Sequence, residues 1–225
     1  MFWDWTYVVI VLPMLILSMI AQANVTNTFK RYSRVFAANC MTAAQAARRI
    51  LDSRGLHQVQ IVRVPGNLSD HFDPKRNVLA LSDTVYDSPS VAAIGVAAHE
   101  AGHAIQHAEA YLPVRIRTAI VPITQFGSKL SMPLVILGLI LGSYPLAYVG
   151  ILLFGTVAVF QLVTLPTEFD ASRRAMAVLS EGYLNDEERV GTKKVLTAAA
   201  LTYVAALFVS LASILRLMLI VSRRR

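Results

Sequence analysis

The chain has 225 residues, 55% hydrophobic and 16% charged, with a mean hydropathy of +0.52. A typical soluble domain is about 25% charged, and disorder needs low hydrophobicity. The composition therefore excludes a disordered chain and argues against an ordinary soluble globule. The net charge of +7 does not indicate nucleic acid. Basic residues gather beside the apolar blocks (Lys30, Arg31, Arg34; Arg223, Arg224, Arg225), where membrane proteins place them. They lack the aromatic interleaving of single-strand binders.

Asp4 and Lys30 bracket 25 uncharged residues, Lys129 and Glu168 bracket 38, and Lys194 and Arg216 bracket 21. An apolar helix crosses a bilayer in about 20 residues. The three blocks hold four spans if the long one is a pair, so the lipid bilayer is an expected partner.

The first block, Tyr7 to Ala23, has two readings. Ala21-Gln22-Ala23 resembles a small-residue cleavage site, as in a secretory signal. The positive cluster, however, follows the block instead of preceding it. That order favours a retained anchor over residues 1–29, with residue 30 onwards in the cytoplasm. Trp3, Trp5 and Tyr7 suit an interfacial aromatic belt. The lone Cys40 excludes an intramolecular disulfide framework and a cysteine-based zinc cluster.

Residues 30–117 form a charged, mixed region. Ala44, Ala47, Ile50 and Leu51 are spaced as one helical face within residues 41–54, and Gly55 stops the helix. The QVQIVRV stretch from Gln58 alternates like a strand and ends at Pro65-Gly66. Leu68 to Pro74 reads as a polar loop, and Asn77 to Ser82 as a second strand. Ser88-Pro89-Ser90 begins a long alanine-rich helix. This α+β unit is too small to bury much core alone, so it is expected to lean on the spans.

A transmembrane hairpin is expected over 118–166, turning at Gly142-Ser143-Tyr144-Pro145. This places Lys129 inside a span, either as a functional group or as a lysine snorkelling to the surface. Residues 167–194 return to water, and 195–225 supply a final span and basic tail. Four spans would put Arg223-Arg224-Arg225 outside, against the positive-inside tendency, so the direction of the last span stays open.

The chemistry centres on His99-Glu100-Ala101-Gly102-His103. Histidines at i and i+4 share a helical face, so both imidazoles can reach one zinc ion. Glu100 can sit beside the metal without ligating it, taking a proton from an activated water and passing it to the leaving amine. The motif alone is short, and two incidental histidines on a polar face are the alternative. The helical context, the small neighbours (Ala97, Ala98, Ala101, Ala104) and three of the five histidines between 99 and 107 favour a metal site.

Catalytic zinc needs a third protein ligand. His107 lies about 12 Å along the axis from His99, too far for the same ion, and reads as a structural or outer partner. His57 and His71 have no supporting motif. Better candidates follow the central block in LPTEFDASRRA, where Thr167 could cap a helix with Glu168 and Asp170 in its first turn. The alternative is that both carboxylates are merely solvated charges at a helix start. An even number of spans separates Glu168 from His99, which puts both on one side of the membrane.

HEAGHAIQ, followed after a paired apolar block by LPTEFDASRRA, resembles the YugP-type membrane zinc metallopeptidases of the neutral zinc metallopeptidase family. The LSDHFDP and NVLALS stretches and the N-terminal span extend the resemblance over most of the chain. A more distant likeness is to HtpX and CaaX-prenyl-protease-type gluzincins, whose third ligand is the glutamate of an E-x-x-A-D pattern. Here Glu168 and Ala171 match that pattern and Ser172 replaces the aspartate.

The resemblance implies one zinc ion held by His99, His103 and Glu168, with Glu100 as general base. It leaves Asp170 to do the missing aspartate's work, for example by accepting a proton from a ligating histidine. It also implies an extended peptide pairing with an edge strand beside the motif helix, for which Asn77 to Ser82 is the candidate. Tyr111, His107 and Arg173 are candidates for stabilising the transition state.

The expected fold is a mainly α integral membrane protein with about four transmembrane helices and a small α+β zincin-like catalytic unit. The expected function is a zinc-dependent endopeptidase acting on peptides or membrane proteins, in a bacterial cell membrane, with the site facing the cytoplasm. A non-catalytic zinc-binding scaffold or adaptor is the alternative. Glu100 argues against it, because a closed structural site has no use for a carboxylate beside an open position. Spans without His, Asp or Glu argue against a metal transporter.

Overall fold

The computed structural model describes residues 5–223. A π-helical turn at Tyr7–Val11 leads into α1 (Leu12–Tyr32). Then come α2 (Ala43–Ser53), β1 (Gln60–Val64), β2 (His71–Asp73), β3 (Val78–Ser82), α3 (Val91–Ala108), α4 (Leu112–Ile140), α5 (Tyr144–Leu179) and α6 (Asp186–Ser222). Among the described residues, four helical stretches are long and apolar enough to cross a membrane: Tyr7–Tyr32, Leu112–Ile140, Tyr144–Leu179 and Asp186–Ser222. The chain is a mainly α membrane protein with a small α+β unit, and it divides into two units.

One unit takes the chain up to Gln22, Arg115–Pro166 and the chain from Leu201 onwards. Gly142, at φ +66°, makes the turn between α4 and α5. Small residues bring these helices to backbone contact: a Cβ on Gly138 would lie 2.5 Å from the amide nitrogen of Ala147, and one on Gly150 2.6 Å from the carbonyl of Ser131. Membrane helices associate through such close packing because lipid offers no hydrophobic drive between them. Ile140 and Leu152 are 75% and 76% exposed, which suits hydrocarbon and would be costly in water. Lys129 is exposed on α4, as a snorkelling lysine requires.

The other unit comprises Ala23–Val114 and Thr167–Ala200. Helix α2 starts with a capping box in which Thr42 and Gln45 satisfy each other's backbone amides. It buries Ala43, Ala46, Ala47, Ile50 and Leu51, so the buried face is rotated slightly from the expected one and takes in Ala43 and Ala46. Gly55, at φ +72°, follows the helix end as expected. Ser90 caps α3 by accepting from the amide of Ala93. The core joins α2, the sheet and α3 to Ala175, Val178 and Leu179 of α5 and Leu196 of α6.

Three expectations need correction. The stretch read as a loop, Leu68 to Pro74, contains β2, because His71, Phe72 and Asp73 pair with Ala80, Leu79 and Val78. A three-residue strand between charged residues shows too little alternation to be read as one. Asp73 also accepts the amides of Lys75 and Arg76, which forms the turn into β3.

Secondly, β3 is not an edge. The sheet order is β1-β3-β2, with β3 parallel to β1 and antiparallel to β2, so both of its sides are taken. All five of its residues are buried, in keeping with a central strand. At its end Ser82 donates its amide (2.8 Å) and its hydroxyl (3.0 Å) to Asp70. Burial raises the Asp70 pKa above the ordinary carboxylate value despite these bonds.

Thirdly, Thr167 does not cap a new helix. Helix α5 runs unbroken through Pro166 to Leu179. Proline inside a helix removes one amide donor, at a cost of about 3 kcal/mol. Here the turns beyond Pro166 are held by burial of Ala171, Ala175, Val178 and Leu179. Glu168 and Asp170 therefore lie mid-helix, and a favourable helix-start dipole does not explain their placement.

Candidate metal centre

Helix α3 carries His99 and His103 one turn apart, with their rings 4.7 Å between centroids and nearly perpendicular. Helix α5 passes close by because Gly102 has no side chain: a Cβ there would lie 2.7 Å from the carbonyl oxygen of Ala171. That approach brings Glu168 between the two imidazoles. Its Oε2 is 3.2 Å from His99 Nε2 and 3.6 Å from His103 Nε2. The three residues offer donor atoms that all lie within 4.8 Å of one another.

Glu168 is 3% exposed, and both histidines are half-buried. A buried carboxylate that stays ionised needs a cationic partner or a metal ion. Burial by itself disfavours charge on His103. The close carboxylate of Glu168, together with the charge of Glu100, outweighs this and raises its pKa above the ordinary histidine value. Two imidazole nitrogens and one carboxylate oxygen are also a donor set of catalytic zinc, and they converge here on one buried point. The residues present therefore fit the metal. Glu100 follows His99 on α3 and is half-buried.

The Nδ1 atoms face away from the donor cluster. His103 Nδ1 pairs with Gln106 Oε1 at 3.0 Å, and His99 Nδ1 pairs with Ser172 Oγ at 3.1 Å. This corrects the expectation that Asp170 takes a proton from a ligating histidine. Helical geometry supplies the reason: successive residues turn by about 100°, so i+4 from Glu168 stays on its face while i+2 points away. Ser172 is the i+4 residue. Asp170 instead accepts from Gln106 Nε2 at 2.9 Å and pairs with Arg173 and Arg174.

Gln106 went unnoticed in the sequence. A glutamine three residues after a candidate ligand on an alanine-rich helix was the available signal, since i+3 shares the face.

The remaining candidates lie apart from the cluster's internal contacts. The His107 ring packs against Phe72 of β2 at 5.9 Å. Tyr111 lies under the guanidinium of Arg174, which also bonds Glu109 at 2.6 Å. Arg173 is largely exposed and bonded to Asp170. His57 pairs with Asp52 and His71 with the carbonyl of Ser69, both exposed at the surface.

A helical membrane protein with a buried two-histidine, one-glutamate cluster falls in the class of membrane metallopeptidases. The family model described as "Putative neutral zinc metallopeptidase" matches residues 7–222, and the chain belongs to that family. It is 48% identical over 205 residues to the "Putative membrane protease YugP" of Bacillus subtilis (strain 168), covering 91% of each chain. No solved structure matches it.

Proposed function

We propose that this zinc metallopeptidase is a membrane-embedded endopeptidase that hydrolyses membrane or membrane-proximal proteins. The convergence of His99, His103 and Glu168, with Glu100 next to His99, is the observation that carries this reading. In it the three converging residues hold a single zinc ion. When bound, zinc supplies Lewis acidity that polarises a carbonyl and acidifies water. Glu100 is the general base: its carboxylate takes the proton of the attacking water and hands it to the departing amine. Glu168 and the two imidazoles keep their donor atoms turned to one point before substrate arrives.

The substrate's backbone adds to β2, an edge strand whose Phe72 packs on His107 of the motif helix. Membrane-proximal substrates fit because Glu168 lies on the same continuous helix as an apolar span, two residues beyond Pro166.

The purified protein in detergent is expected to hold about one zinc per chain. A strong chelator should abolish peptide hydrolysis, and added zinc should restore it; elemental analysis and a peptide-cleavage assay make the measurement. Zinc bound at full occupancy with no hydrolysis of any membrane or peptide substrate would leave the scaffold role instead.

The site faces the cytoplasm of a bacterial cell in this reading, because Lys30 and Arg31 close the last turn of the first span's helix and Arg34 follows it. Cys40 is the natural reporter, being exposed and in the same unit as the metal centre. A membrane-impermeant thiol reagent should leave it unlabelled in intact cells and label it in inverted vesicles. The opposite pattern would place the site outside.

A further inference from the structure

We propose that Gln106 is a positioning residue that locks His103 in the tautomer with a protonated Nδ1, leaving the Nε2 lone pair aimed at the metal; the inference rests on the metal-site reading above. Gln106 is fully buried in α3. Its Nε2 makes two contacts, to the carbonyl oxygen of Thr167 at 2.8 Å and to Oδ2 of Asp170 at 2.9 Å. A carbonyl oxygen only accepts, and so does an ionised carboxylate. The amide must therefore present its NH2 to α5, and its oxygen is left facing His103 at 3.0 Å.

An amide oxygen cannot donate. The ring nitrogen facing it must carry the proton, so in the neutral ring that a metal ligand needs, Nε2 is the unprotonated nitrogen, on the side of Glu168. The Ser172 hydroxyl beside His99 Nδ1 is different: it can donate or accept, so it permits either tautomer. Only the Gln106 contact has a fixed polarity.

That polarity is itself anchored. Asp170 is 4% exposed and is held ionised between Arg173 and Arg174, and Arg174 is tied in turn to Glu109. The chain of contacts runs from two arginines through Asp170 and Gln106 to His103. It links the tautomer of a ligand on α3 to the helix that carries Glu168.

Zinc affinity of the full-length protein, measured by competition with a chelating dye, tests this, with His103→Ala as reference. Gln106→Leu keeps the bulk, removes the acceptor, and should weaken zinc binding about 10- to 100-fold. Combining Gln106→Glu with Asp170→Asn restores the polarity with the new side chain in its acid form: its carbonyl oxygen accepts from His103, its hydroxyl donates to the carbonyl of Thr167, and the new amide donates to the hydroxyl oxygen. That pair should recover most of the loss, to within about threefold of wild type.

Affinity unchanged in Gln106→Leu overturns the proposal. So does a double variant no better than Gln106→Leu, whether the failure is in folding or in zinc binding. If Gln106→Leu does not fold, a folded, zinc-binding double variant supports the proposal. A wild type that binds zinc no better than His103→Ala defeats the metal-site reading instead, which keeps the two failures apart.

Discussion

Replacing Glu100 with glutamine is expected to leave zinc content unchanged and to lower peptide hydrolysis by about 100- to 10,000-fold, the range that a positioned general base contributes. The substitution is nearly isosteric. It leaves the donor atoms of His99, His103 and Glu168, within 4.8 Å of one another, untouched. It removes the negative charge and with it the capacity to accept a proton. Its charge also acts on the site, since Glu100 is among the groups that raise the His103 pKa. Elemental analysis and turnover on the same preparation separate binding from chemistry. In cells, membrane-protein fragments present with the wild type should be missing with the Glu100→Gln form. Unchanged cleavage would remove Glu100 from the mechanism.

Glu168→Ala should act on the metal itself. Glu168 Oε2 is the atom that both Nε2 atoms face, at 3.2 and 3.6 Å, and its side chain is nearly inaccessible. Loss of that oxygen leaves two imidazoles, which make a poor zinc site, and affinity should fall by more than about 100-fold, beyond the loss from an outer partner. Hydrolysis should fall with it, in contrast to Glu100→Gln, where metal and activity part company. A Glu168→Ala protein with full zinc occupancy would move the third ligand elsewhere.

These two residues show how differently a site can be legible. His99, Glu100 and His103 are visible as a local pattern, because a helix converts i, i+4 spacing into one face. Glu168 is 69 residues from His99 along the chain, so no spacing rule reaches it. It became a candidate through the resemblance and through the count of uncharged blocks, which returns residues 167–194 to the side of residues 30–117. Gln106 and Ser172 were harder. Each matters through a partner on the other helix, and neither residue type announces a metal site. Ser172 stood out only as a departure from a family pattern, yet its i+4 relation to Glu168 puts it where His99 Nδ1 needs a partner. Asp170, the more obvious acid, faces the other way and reaches His103 only through Gln106.

The sequence by itself determined the membrane class, the four apolar helices and the helix that bears the two histidines. Each of these rests on composition or on a period that a single element expresses alone. The tertiary structure decided which strand is central, that α5 continues through Pro166, and which atoms meet the imidazole nitrogens. The last of these depends on how closely two helices approach, here on a glycine of α3 lying against the backbone of α5. Such an approach is set by packing between distant segments, and no local period records it.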